Sequence, residues 1–255
     1  MNYTYLIFFF ILGTILASFY CVVGIRLPKK EDFIFSRSRC DICNHELKFY
    51  ELIPIISYIF QRGRCRYCHK KIGFFMPMLE IITGLLFMVS FYSFGMSYNL
   101  FIALGIVSIL IIISVSDITY MVIPDEVLIF FSIYFIVIQY LNLGLIGCLE
   151  HIIYGLFLFL LMYLIMLLGN KIFKKESLGG GDIKLMFIFG LILNPILGAL
   201  SIFIASLIAF PISIIFLVKD NERVIPFGPF LLIGLAIIFF TKIDVNTIIN
   251  MFNLI

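Results

Sequence analysis

Hydrophobic and polar positions follow one another along this chain in long blocks, not with the period of a half-buried element. Apolar stretches at 4–25, 75–95, 99–116, 123–141, 151–170, 183–194, 197–218 and 227–241 are separated by shorter polar segments. A helix that is apolar on every face is buried in a core or spans a bilayer, and a span needs about 20 residues. The pattern predicts an all-α polytopic membrane protein with about eight transmembrane helices, of which 183–194 is short. Residues 4–25 read as a retained helix and not a cleaved signal peptide, because no basic region precedes them and the apolar run is long.

Composition agrees. Hydrophobic residues make up 63% of the chain and charged residues 13%, against about a quarter charged in soluble domains, which excludes both a water-soluble globule and a disordered polymer. The net charge of +3 matters less than its placement. Of 18 Lys and Arg residues, eleven lie between Arg26 and Lys71 and four between Lys171 and Lys184, with Lys219 and Arg223 forming a third group and Lys242 standing apart. Basic loops face the cytoplasm. Eight crossings then place both termini outside, with outer turns near Gly95, Asn142 to Glu150, Asn194-Pro195 and Lys242. The expected divisions are a first helix at 1–25, a cytoplasmic loop at 26–74, a membrane core at 75–241 and a tail at 242–255.

The loop carries Cys40-Asp41-Ile42-Cys43 and Cys65-Arg66-Tyr67-Cys68, with 21 residues between the pairs. Two such knuckles supply four thiolates to one Zn²⁺ in the manner of a zinc ribbon. A reducing cytoplasm argues against the alternative of two disulfides. Four thiolates leave no open position for water, so the expected metal is structural, and it would supply most of the loop's folding free energy. His45 and His69 flank the knuckles, where they could substitute as ligands but read as solvated, while Cys21 and Cys148 read as isolated thiols.

Acids inside or at the ends of apolar stretches are site candidates because burying an ionised group there is costly. They are Glu80, Asp117, Asp125, Glu126 and Asp182. Asp117 closes the third stretch, and Asp182 follows Gly179-Gly180-Gly181 at the start of the sixth. On the topology above both lie at the cytoplasmic face. Two close carboxylates would share a proton, as in an aspartic protease, and the glycines would let an extended substrate backbone approach. The same residues also read as helix-terminal devices: Asp182 as an acid favoured by the helix dipole, Asp117 as an interfacial cap, and Asp125, just after Pro124, as a helix start.

Together these motifs resemble the prepilin leader peptidase family, whose bifunctional members also methylate the new N-terminus. The resemblance runs from Gly13 to about Gly234. It rests on Ala17-Ser18-Phe19, Arg26-Leu27-Pro28, Ile53-Pro54 through Ser57-Tyr58, Arg62-Gly63-Arg64-Cys65 and Pro77-Met78-Leu79-Glu80. Farther on come Asp117 with Ile123-Pro124-Asp125, then Gly179 to Asp182 with Ile183-Lys184, and Pro226-Phe227-Gly228-Pro229-Phe230. The chain departs from the usual pattern with Cys21 where Asn is common and Gly24-Ile25 where Ile-Tyr is common.

The resemblance implies a membrane aspartic endopeptidase with Asp117 and Asp182 as the catalytic pair, supported by Asp125, the glycines 179–181 and Lys184. Its substrates would be type IV prepilins or competence or secretion pseudopilins, cut at the cytoplasmic face of the cytoplasmic membrane, with lipid and no nucleic acid as further partner. Methylation by S-adenosylmethionine would follow, an activity the family associates with the N-terminal part. No glycine-rich dinucleotide fingerprint marks a donor site. A non-catalytic zinc-ribbon scaffold for a pilus-like assembly is the competing reading, though it leaves the two acids unexplained. An ion-coupled transporter would want internal repeats and acids near the bilayer midplane. A presenilin-like peptidase would lack the cysteine loop.

Overall fold

The computed structural model describes residues 3–34, 36–40, 42–174, 178–219 and 225–243. Asp41, Lys175, Arg223 and the part of the expected tail from 244 onward lie outside the described residues. The helices are α1 (Tyr3–Arg26), α2 (Ile56–Phe60), α3 (Phe75–Phe94), α4 (Tyr98–Tyr120), α5 (Asp125–Phe173), α6 (Gly180–Ile192), α7 (Pro195–Lys219) and α8 (Gly228–Thr241). No strand occurs among the described residues, where β pairing is confined to isolated bridges in the cysteine loop. Five helices, those starting at Tyr3, Phe75, Tyr98, Asp125 and Pro195, are long and apolar enough to cross a membrane.

The helix from Asp125 is two legs. At Gly144 the backbone turns to φ 72° and ψ −170°, outside the helical region and open to a residue without Cβ. Cys148 Sγ donates to the Ile136 carbonyl at 3.6 Å, whereas 12 residues of straight helix would separate them by about 18 Å. The chain therefore folds back. The break lies within the turn expected at Asn142 to Glu150 but is confined to Gly144. With α5 divided into 125–143 and 145–173, each apolar stretch of the sequence falls on one helical segment.

The chain forms two compact units, Met1–Met96 and Ser97–Ile255. In the first, α1 packs along α3, with Phe9 and Phe91 stacked at 4.9 Å between ring centroids, while Ile7, Phe8, Ile11 and Ile15 stay exposed as a lipid-facing helix requires. Glu80, buried in α3, accepts a hydrogen bond at 2.8 Å from the Ile55 N–H. That bond holds Ile55 at φ 61°, a conformation a β-branched residue otherwise avoids.

In the second unit α6 packs against α5 so closely that a Cβ on Gly190 would lie 2.3 Å from the Gly155 nitrogen. Only a residue with no side chain permits such an approach. The 13 residues of α6 rise about 20 Å, less than a hydrocarbon core. Its last carbonyls are met from α5: Gln139 Nε2 donates to the Leu191 carbonyl at 2.8 Å, and His151 Nδ1 lies 3.3 Å from that of Gly190. A short helix can end inside apolar surroundings because its orphan acceptors are paired. Asn194 Oδ1 then accepts from the Leu197 N–H and starts α7.

Candidate active site and metal centre

Asp117 lies in the last turn of α4 and is 6% exposed. Its Oδ2 accepts a hydrogen bond at 3.0 Å from the backbone N–H of Gly228, the first residue of α8. The end of α4 is fixed locally. Met121 adopts the left-handed conformation at φ 55° and returns its N–H to the Asp117 carbonyl at 2.8 Å, while Ser116 Oγ donates to the Val122 carbonyl. This tight reversal brings Ile123 against both glycine-bearing helix starts: a Cβ on Gly181 would meet Ile123 Cβ at 2.8 Å, and one on Gly228 would meet Ile123 Cδ1 at 3.1 Å.

Asp182 occupies the first turn of α6, is half-buried, and lies near enough to Asp117 for the two carboxylates to interact. The end of α4 and the starts of α5, α6 and α8 thus converge around two interacting acids. Three helix starts at one place concentrate N–H donors, and the end of α4 beside them leaves room for groups that a continuous helix would exclude.

The supporting residues take distinct places. Lys184 Nζ pairs with both oxygens of Asp125, at 2.7 and 2.8 Å, in an exposed bidentate contact. Asp125 is therefore charge-matched by Lys184. The glycines also divide. Around Gly180 a Cβ would meet nothing within 4 Å among the described residues, which leaves that position open to an approaching backbone. Gly181 is small because Ile123 leaves it no space, and Gly179 lies where a Cβ would reach 3.0 Å from Asp182 Oδ2. Gly228 had no assigned role in the sequence reading; its contribution is a main-chain N–H, which no residue type advertises.

The four sulfurs of Cys40, Cys43, Cys65 and Cys68 lie within 4.8 Å of one another, with Cys40 to Cys68 at 3.9 Å and Cys43 to Cys65 at 4.0 Å. A tetrahedron with Zn–S bonds of about 2.3 Å has edges of about 3.8 Å. The donor set fits the ion. Both knuckles are built alike: Cys40 N–H to His45 carbonyl and Asn44 N–H to Cys40 carbonyl match Cys65 N–H to Lys70 carbonyl and His69 N–H to Cys65 carbonyl, all at 2.9–3.0 Å. Asn44 and His69 share φ values of 54° and 55°, and the bridges Arg39–Glu46 and Arg64–Lys71 close each loop at the same register.

Backbone N–H groups of Cys43 and Ile42 pull the Cys40 thiol down to about 7. Cys43 goes up to about 11, its backbone bond to His45 outweighed by desolvation and the neighbouring sulfurs. Thiols this close resist ionising together without a cation. His69 is exposed as expected, whereas His45 is only partly so. Its ring lies 3.4 Å from that of Tyr67 and its Nε2 is buried, because the first knuckle turns it inward over the second.

Comparison with known proteins follows the same division. Residues 11–94 match the bacterial peptidase A24 N-terminal domain, and residues 104–214 match the type IV leader peptidase family. A Bacillus subtilis protein named prepilin leader peptidase/N-methyltransferase is 35% identical over 205 residues, covering 78% of this chain and 78% of its own. A Vibrio cholerae protein of the same name is 30% identical over 254 residues, covering 94% of this chain and 98% of its own. One from Myxococcus xanthus is 32% identical over 188 residues, covering 74% and 56%. No solved structure matches.

Proposed function

The chain belongs to the type IV leader peptidase family, and from that premise we propose that it removes the leader from type IV prepilins, using Asp117 and Asp182, and then methylates the exposed α-amine. The observation that carries the peptidase reading is the meeting of these two acids where four helix ends converge. A scaffold needs no buried carboxylate held by a backbone N–H.

The roles of the pair follow from their surroundings. Asp117, oriented by the Gly228 N–H at its Oδ2, is assigned the negative charge of the pair. Asp182, facing that charge, keeps the shared proton. Asp117 takes a proton from water as the water oxygen bonds to the scissile carbonyl carbon, and Asp182 gives its proton to the carbonyl oxygen. Collapse of the tetrahedral intermediate breaks the C–N bond, with the proton on Asp117 passing to the leaving amine and one hydroxyl proton returning to Asp182. The pair is restored.

The remaining assignments belong to the same proposal. The basic loop and the Lys171 to Lys184 stretch face the cytoplasm, which puts the acids at the cytoplasmic face of the cytoplasmic membrane, both termini outside, and the helical segments across it in eight passes. Pseudopilins of secretion or competence systems share the substrate class, and anionic lipid meets the basic loop. Cys40, Cys43, Cys65 and Cys68 hold structural zinc. S-adenosylmethionine supplies the methyl group. Incubation of the purified protein with a prepilin and S-adenosylmethionine, followed by mass spectrometry of the product N-terminus, tests both activities: a product lacking the leader and heavier by one methyl group supports the reading, and intact prepilin contradicts it.

A further inference from the structure

The methyl-transfer reading leaves the donor without a place, and the first unit contains a cavity whose chemistry suits it. The cavity has a volume of about 330 Å³, within the range that holds small-molecule ligands. Glu51 on its wall is 6% exposed. Its Oε2 accepts the Lys48 N–H at 2.8 Å, while its Oε1 is buried and finds no hydrogen-bond partner among the described residues. A buried carboxylate oxygen without a donor is costly to the folded chain on its own. A cationic or N–H-bearing ligand would satisfy it.

The rest of the wall narrows the ligand. Four cations also line the cavity, but two are engaged: Arg26 donates to the Asp32 and Ser36 carbonyls, and Arg39 pairs with Glu46 at 3.1 Å. Lys70 and Lys71 make no ion pair among the described residues. Val22, Ile25 and Met76 add an apolar side. One acid, two free lysines and an apolar wall match a zwitterionic amino acid joined to a flat heterocycle. Glu51 and Cys65 also line a second, wider opening of about 990 Å³, so Glu51 borders both spaces.

We infer that this cavity binds S-adenosylmethionine, with its α-ammonium on Glu51 Oε1, its carboxylate on Lys70 and Lys71, and its adenine against Val22, Ile25 and Met76. The inference rests on the methyltransferase reading. Its test uses the zinc-loaded full-length protein in detergent and tritiated S-adenosylmethionine in equilibrium dialysis, with methylation of pilin supplied already cut measured in parallel. Glu51→Gln, which keeps the shape and removes the charge, is expected to weaken donor binding at least about tenfold, with zinc content and leader cleavage unchanged. Because Glu51 is buried, Lys70→Gln with Lys71→Gln on the surface supplies an independent arm, expected to weaken binding severalfold. Weakened binding in either variant with zinc retained supports the site. Donor binding and methylation at the native level in both variants overturn this placement alone. No donor binding and no methylation by the native protein overturn the placement together with the methyltransferase reading.

Discussion

Gly228 donates its backbone N–H to Asp117 Oδ2 at 3.0 Å, joining residues 111 positions apart in sequence. A Cβ there would lie 3.0 Å from that oxygen and 3.1 Å from both Ile113 Cγ2 and Ile123 Cδ1, so a side chain makes these neighbours give by a few tenths of an ångström. Gly228→Ala should therefore displace the start of α8 from Asp117. We expect leader cleavage to fall at least about tenfold, and melting in detergent to reflect overpacking worth about 1–3 kcal/mol. Native cleavage by this variant would remove the N–H from the account of the site.

The glycine triplet should separate by position. Gly180→Ala enters open space at the start of α6, so thermal stability should hold or rise by about 0.4–1 kcal/mol through loss of unfolded-state freedom. Any cost should appear as a higher KM for prepilin. Gly181→Ala pushes a methyl group to 2.8 Å from Ile123 Cβ and should lower the melting temperature. Equal stability of the two variants would contradict the packing role given to Gly181.

Asp125→Asn breaks the contact with Lys184. Both side chains are more than half exposed, and exposed pairs contribute about 0–1 kcal/mol. Cleavage should fall by less than about fivefold, and Lys184→Gln should have an effect of similar size. Steady-state kinetics showing complete loss in Asp125→Asn would mean that Asp125 belongs to the catalytic pair.

Replacing Cys40 and Cys43 by Ser should abolish zinc binding, measured by elemental analysis, and open the cysteine loop to limited proteolysis, because few buried apolar side chains hold it. Asp117, Asp182 and Gly228 all belong to the other compact unit. Cleavage should therefore survive zinc loss better than methylation. Normal protease resistance without zinc would contradict the structural role of the metal.

What the sequence made legible was whatever has a period or a spacing. Block hydrophobicity located the helical segments, and the spacing of Cys40, Cys43, Cys65 and Cys68 located the four-sulfur cluster. What stayed hidden depends on partners remote in sequence. The shortness of α6 makes sense only when Gln139 and His151 reach its final carbonyls from the two legs of α5. The pairing of Asp125 with Lys184 spans 59 positions, and the Gly228 N–H leaves no side-chain signal. His45 read as solvated because its turn is polar, yet the fold of the knuckle carries it over Tyr67.

The central claim, that Asp117 and Asp182 act as one pair, is tested most directly by mass spectrometry of prepilin after incubation with Asp117→Asn and with Asp182→Asn protein. Either substitution keeps the side-chain volume and removes an ionisable member, so each should slow cleavage at least about a hundredfold while zinc and membrane insertion stay native. The Asp182→Asn protein should still methylate pilin that was cut beforehand, because alkylation of a free amine needs no acid pair. Prepilin processed at the native rate by either folded variant would contradict the account.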